Sequence, residues 1–445
     1  MTIKTLDRDI LRLAVPALGA LVAEPLFLLT DTAMVGHLGE IPLAGLSIGS
    51  AILQTMIGLL VFLAYATTPA VARRLGSGDS AGAIRAGIDG LWLALGLGLL
   101  LVALGVPGSD WAVGLFGATP EVAAAASSYL GISVWGLPGM LIVIAANGLL
   151  RGMQDTRTPL VVALIGFAGN ALLNALFIYG FGLGIAGSAI GTVIAQWGMA
   201  AVYVGLAIRE ARRRSVALRP GLRGVGSVAG LGGWLFLRTL SLRVAMLSTV
   251  VVATNLGVTE LATLQIALTI FSLLAFILDA LAIAGQAMVG HGLGSSDLPT
   301  VMSVTRRLIQ FGLGSGVALG VIVALLAPIA GPVFTSDQGV RDLLTVTMLV
   351  MAFGIPLAGF VFVLDGVLIG AGDARYLAIT GFLNLIVYLP LLLLVDLGRP
   401  QPELVWLWLA FGIGYMGARA LTLGFRARGT RWAVLGSAGT PPRGK

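Results

Sequence analysis

The sequence predicts an all-α polytopic membrane protein with twelve transmembrane helices in two parallel six-helix lobes. Of its 445 residues 58% are hydrophobic and 11% charged, whereas soluble domains carry about a quarter charged residues. Mean hydropathy is +1.00. The apolar residues fall into twelve long runs, and the chain repeats itself at a fixed offset of 218 residues.

Bilayer hydrocarbon is roughly 30 Å thick and a helix rises ~1.5 Å per residue, so a span needs about 20 apolar residues. In the first half this places spans at about residues 9–34, 43–72, 84–107, 124–150, 159–181 and 185–208. In the second half they fall at about 227–254, 261–290, 303–329, 342–370, 375–397 and 402–425. The first run follows a short charged head and continues past residue 34 without a small-residue cleavage site, so it reads as a span and not a removed signal peptide.

Basic residues set the orientation. With the N-terminus inside, inside segments hold Lys4, Arg8 and Arg12; Arg73, Arg74 and Arg85; Arg151 and Arg157; Arg209 through Arg223; Arg306 and Arg307; Arg375; and Arg419 to Lys445. Outside loops hold only Arg341 and Arg399. This bias predicts a cytoplasmic-membrane protein with both termini cytoplasmic. The organisation expected is an N-terminal lobe over 1–208, a basic linker over 209–226, a C-terminal lobe over 227–428 and a tail over 429–445. The linker's Arg209, Arg212, Arg213, Arg214, Arg219 and Arg223 read as an inside anchor, with anionic-lipid binding as the sharper alternative. The net charge of +7 follows topology and does not form a nucleic-acid face. With no Cys, and only His37 and His291, thiolate, disulfide and histidine-rich metal chemistry are excluded, and no cofactor is expected.

At the 218-residue offset Leu38-Gly39 falls on Leu256-Gly257, Leu75-Gly76-Ser77 on Leu293-Gly294-Ser295, and Asp79 on Asp297. Gly136 and Pro138 meet Gly354 and Pro356; Gly148, Gly152, Asp155 and Arg157 meet Gly366, Gly370, Asp373 and Arg375. One unit was duplicated. Six spans per unit bring both halves into the membrane from the same side, a transporter arrangement with the path between two bundles. The Gly-Ser-Asp loops at 75–79 and 293–297 read as helix stop plus start, a glycine in left-handed conformation followed by an Asp cap.

Ionisable groups at bilayer depth mark function by default. Span 1 holds Glu24 and Asp31, seven residues apart on one helical face, with no deep Lys or Arg in spans 1 to 6 to answer them. Either they hold a proton at neutral pH or they bind a cation. Polar partners are Asn170 and Asn174 on span 5, and Thr192 and Gln196 on span 6, each pair spaced by four. Pro16 and Pro25 permit span 1 to bend. In the second half Asp279 and Asp365 coexist with Arg238 and Arg243, which reads as an ion-pair network, a substrate site being the alternative. Counted from the cytoplasmic ends, Arg238 and Asp279 lie roughly 16 to 18 Å deep and Asp365 about 8 Å, so Arg238 and Asp279 are a candidate pair.

The two parallel repeats, the segment Glu24-Pro-Leu-Phe-Leu-Leu-Thr-Asp31-Thr-Ala-Met-Val-Gly-His37-Leu-Gly, and Leu368-Ile-Gly-Ala-Gly-Asp373 closing span 10 resemble the multidrug and toxic compound extrusion (MATE) transporters, most of all their DinF-like branch. The resemblance implies a V-shaped pair of lobes around a central cavity. It also implies an antiporter, not an enzyme, that expels amphipathic, cationic organic compounds or drugs while H⁺, in preference to Na⁺, enters. It places the coupling acid at Asp31, with Glu24, Asn170, Asn174 and Thr192 around it, a possible Na⁺ at Asp31, Asn170 and Asn174, and the bend at Pro16 and Pro25. Some prokaryotic relatives carry a second carboxylate where this chain has Asn174, and another branch uses a span 7 glutamate that is missing here. Asp365 corresponds to that branch's span 10 aspartate, in surroundings changed by Arg238 and Arg243. The partners expected are a small-molecule substrate, H⁺ or Na⁺ and membrane lipids, with no nucleic acid, for a monomer. An exporter or flippase of a lipid-linked or anionic metabolite is the alternative within transport. A membrane-embedded transferase is the alternative outside it, and the loops offer no clustered catalytic groups for one.

Overall fold

The computed structural model describes residues 3–398 and 401–437, so Arg399 and the end of the tail lie outside it. Twelve helical spans are long and apolar enough to cross a membrane, and no strand occurs among the described residues. The chain is a multi-pass membrane protein. Span 1 is α1 (Ile3–Gly36). Span 2 is α2 (Glu40–Leu60) followed, after a break at Val61, by α3 (Phe62–Gly76). Span 3 is α4 (Ser80–Gly114), and span 4 is α5 (Pro120–Ser133) joined through a 3₁₀ turn to α6 (Leu137–Gly152). Span 5 is α7 (Arg157–Ala175), ending in a π turn over Leu176–Gly180, and span 6 is α8 (Gly184–Arg213). The second half follows as α9 (Leu222–Leu256), α10 (Val258–Gly294), α11 (Leu298–Phe334), α12 (Gln338–Gly370) and α13 (Ala374–Asp396). The last span is α14 (Glu403–Leu409), a π turn over Ala410–Tyr415, and α15 (Met416–Arg428).

Each expected span lies on an observed one, but the helices run past the apolar stretches. Backbone hydrogen bonding continues for as long as the side chains tolerate helix, and Arg, Glu and Ala are good helix formers outside the hydrocarbon. Hence α8 carries Arg209, Arg212 and Arg213 in its last turns, α9 begins at Leu222, and only 214–221 remains as loop between them. Spatial proximity divides the chain into one unit of residues 15–232 and a second in which the first turns of α1, through Ala14, join residues 233 onward. Asp7 is held in the second unit by Arg307, at 2.5 and 2.7 Å.

The duplication is visible in local geometry. Gly39 and Gly257 both have positive φ, 119° and 147°, at the turn into the following helix. Asp79 accepts from the Gly82 amide at 2.7 Å and Asp297 from the Thr300 amide at 3.0 Å, each capping a helix. The left-handed residue before the cap is Gly78 in the first repeat but Ser296 in the second, so the expected glycine stop holds once. Gly148 lies against the Ala64 carbonyl and Gly366 against the Ala282 carbonyl, where a Cβ would approach to 2.8 and 2.5 Å. A missing side chain thus lets α6 touch α3, and α12 touch α10, backbone to backbone. Cores differ more. That of residues 15–232 is aliphatic around Leu46, Tyr129, Leu130 and Leu137. The second unit stacks Phe271, Tyr388, Trp408, Phe411 and Tyr415.

Candidate functional site

Asp31, on the last third of α1, is 4% exposed. Its Oδ1 accepts two hydrogen bonds, from Asn174 Nδ2 on α7 at 2.9 Å and from Ser188 Oγ on α8 at 2.5 Å. Both donors are uncharged. Oδ2 has no hydrogen-bond partner among the described residues. One turn before Asn174, Asn170 Nδ2 donates to Thr192 Oγ1 at 3.1 Å. The carboxamide oxygens of Asn170 and Asn174 are buried without a hydrogen-bond partner among the described residues. Asn174 Oδ1 lies over Gly191, where a Cβ would collide with it. Tyr179, in the π turn after α7, donates to the Met34 carbonyl at 2.6 Å and ties the two helices together beside Asp31.

Asp31, Asn170 and Thr192 face a cavity of about 70 Å³ that Glu24, Gln54 and Gln196 also line, with no Lys or Arg among the described lining residues. Its apolar wall includes the stacked rings of Phe27 and Phe167, 5.0 Å apart. The space admits a few waters or an ion with its water. Organic ligands need about 300 Å³ or more. The cavity in this conformation is therefore of ion size. α1 continues as helix through Pro16 and Pro25.

The structure brings Asp31, Glu24, Asn170, Thr192 and Gln196 to one cavity and Asn174 to the Asp31 carboxylate. Sequence reasoning missed Ser188, which stands one helical turn before Thr192 on the same face of α8 and was within reach of the same spacing argument. It also missed Asp89 on α4, a buried carboxylate that accepts from the Gly221 amide at 2.8 Å and lies 3.5 Å from Arg85.

In the second unit Asp365 is buried between two guanidinium groups. Arg238 on α9 pairs with it through Nη2–Oδ2 and through Nε–Oδ1 at 3.1 Å. Arg419 on α15 adds Nη2–Oδ2 at 3.4 Å while standing over the Tyr415 ring. Asp279 acts electrostatically on Arg419. Arg419, grouped in sequence with the inside basic residues, is buried in this network, where α15 lies against α12. One expectation, an ion pair at Arg243, is corrected. Arg243 is exposed and makes no ion pair among the described residues. At 100° per residue its five-residue spacing from Arg238 turns it to the other side of α9.

A family model described as MatE matches residues 16–176 and 235–394, the corresponding stretch of each repeat. Protein DETOXIFICATION 45, chloroplastic, of Arabidopsis thaliana is 29% identical over 399 residues, 84% of this chain and 70% of its own length. DNA damage-inducible protein F of Escherichia coli strain K12 is 31% identical over 201 residues, covering 45% of this chain and 43% of that protein. Among solved structures, the Vibrio cholerae MATE transporter VcmN superposes with a TM-score of 0.87 at 20% identity, over 97% of this chain and 99% of that one, a likeness of fold. The two family-model matches together cover well over half of the chain, so it belongs to the MatE family, whose members are membrane transporters and not enzymes.

Proposed function

We propose that this transporter exports amphipathic, cationic organic compounds across the cytoplasmic membrane in exchange for H⁺, with Asp31 as the coupling acid. One observation carries the reading: a buried carboxylate whose only hydrogen-bond donors are neutral, beside an ion-sized cavity without a basic lining residue. A structural carboxylate at that depth would be expected to have a cationic partner, as Asp365 has. Asn174 and Ser188 hold Oδ1 whether or not Asp31 is charged, so a proton or cation exchanges at Oδ2. Glu24, lining the same cavity and without a partner among the described residues, supplies a second negative group on the path. Pro16 and Pro25 each remove a helical hydrogen bond, which supports a bend of α1 that opens the site. Both termini lie on the cytoplasmic side in this reading, and the working unit is a monomer.

Na⁺ in place of H⁺ is a second reading, favoured by the unpartnered oxygens of Asn170 and Asn174, which are hard ligands of the kind such cations take. Efflux of an organic-cation dye from proteoliposomes, under a pH gradient and a Na⁺ gradient imposed separately, tests both. Drive by the pH gradient alone is expected. Drive by Na⁺ alone selects the second reading, and drive by neither refutes cation coupling.

A further inference from the structure

We propose that the groove between α11, α12 and α15 is a binding site for one anionic phospholipid, an acyl chain in the groove and the phosphate on Arg428. The reading is independent of the coupling site. The groove measures about 630 Å³ and is walled by Ile309, Leu357, Phe360 and Leu364. Its counterpart in the first repeat, between α4, α6 and α8, measures about 20 Å³. The two are comparable along their α8 and α15 walls, where residues 218 apart line both: Tyr203 and Leu421, Leu206 and Gly424, Ala207 and Phe425, Glu210 and Arg428.

The difference has a chemical origin. Tyr203 turns inward, 3% exposed, because its hydroxyl donates to Asn147 Oδ1 at 2.7 Å. The residue 218 on from Asn147 is Asp365, whose oxygens are taken by Arg238 and Arg419, and the residue 218 on from Tyr203 is Leu421, which has no hydroxyl to offer. Leu421 and Phe425 turn outward, 76% and 78% exposed, and Gly424 puts nothing in their place. The groove they leave is of ligand size, between about 300 and 1,000 Å³. Its walls are mostly apolar, so hydrocarbon fits the inner groove better than water does. At the rim the first repeat has Glu210, whose carboxylate is engaged by Arg213 and Arg214. The second has Arg428, exposed and without a carboxylate partner among the described residues. The first repeat has a filled groove whose rim carboxylate is neutralised by Arg213 and Arg214; the second has an open groove with an arginine lacking a carboxylate partner among the described residues, which is complementary to an apolar chain bearing an anionic head.

The test is native mass spectrometry of the delipidated full-length protein, titrated with phosphatidylglycerol or with phosphatidylcholine of the same acyl chains. One phosphatidylglycerol should be retained, about fivefold more tightly than phosphatidylcholine, the contribution of one arginine at a headgroup. Gly424→Leu, which places the first repeat's residue in the groove, should abolish retention of both lipids. Its Cβ would meet the Phe360 ring at 3.4 Å, an ordinary contact, so the variant is expected to fold. Arg428→Gln, at an exposed helix end, should erase the headgroup preference, while Arg306→Gln, another exposed arginine, should keep it. Equal retention of the two lipids by the wild type, retention by a folded Gly424→Leu, or equal loss of preference in Arg306→Gln and Arg428→Gln would each overturn the proposal.

Discussion

Asp31 can be separated into a structural acceptor and a coupling acid by two substitutions. Asp31→Ala removes the oxygen to which Asn174 and Ser188 donate and leaves two buried donors unsatisfied. Each such donor costs ~1–3 kcal/mol, so the variant should lose about 2–6 kcal/mol and melt several degrees lower. Asp31→Asn keeps a carbonyl oxygen where Oδ1 stands, so both hydrogen bonds survive, and an amide is cheaper to bury than a carboxylate. Its melting temperature should stay close to that of the wild type. Its gradient-driven efflux should nevertheless fall to background, because the amide can neither take up a proton nor neutralise a cation. Melting in detergent and dye efflux from proteoliposomes of matched insertion read the two effects separately. Wild-type efflux from Asp31→Asn would refute the coupling role, and an Asp31→Ala variant as stable as Asp31→Asn would refute the hydrogen-bond geometry.

Glu24→Gln should reduce efflux less than Asp31→Asn in the same vesicles; the reverse order would move the coupling acid to Glu24. In the second unit, Asp365→Ala deprives two buried arginines of their carboxylate and should cost ~3–5 kcal/mol, whereas Arg238→Ala leaves Asp365 with Arg419 and should cost less. Arg243→Ala, on the exposed face, should change the melting point by no more than about 0.5 kcal/mol implies; this ranking is checked by thermal unfolding, and a costly Arg243→Ala would contradict the placement. Asp89→Ala should free the loop 214–221, which α4 also holds through Arg85 to the Ala217 carbonyl at 2.7 Å and Trp92 to the Leu218 carbonyl at 2.8 Å. Faster amide exchange at 217–221 in that variant is the expected result, and unchanged exchange would show that the other two bonds suffice.

Spans were legible because hydrocarbon thickness imposes a length that no other constraint overrides, and the duplication was legible in the 218-residue offset. Helix ends were not, since hydropathy marks where lipid stops and backbone hydrogen bonding decides where helix stops, as the continuation of α8 to Arg213 shows. Within the site, Asn170, Asn174 and Thr192 could be placed on shared faces by four-residue spacing, but which span turns toward α1 is a matter of tertiary packing. Ser188 escaped notice because serine is a common interhelical residue in membranes. Arg419 escaped because the apolar run of the last span ends in arginines, and only the packing of α15 on α12 separates the buried first one from the exposed Arg428. Phe27, Met140, Phe167 and Met199 line the cavity with side chains that a sequence cannot tell from ordinary core.

The duplication supplies an internal control for the proposed coupling site. The residue 218 on from Asp31 is Thr249, and the one 218 on from Asn170 is Tyr388. In the second unit these two hydroxyls hydrogen-bond to each other at 2.6 Å and are buried together. The same helical address is thus filled in one repeat by a neutral, mutually satisfied pair and in the other by a carboxylate with neutral donors and a neighbouring cavity. A fold that closes this address with two hydroxyls does not need an acid there for packing, and burying one without a cationic partner costs several kcal/mol on the order of the membrane penalty for a charge. Such a cost persists where the group does something that the neutral pair cannot, and what Asp31 has that Thr249 and Tyr388 lack is a carboxyl group able to exchange a proton or a cation.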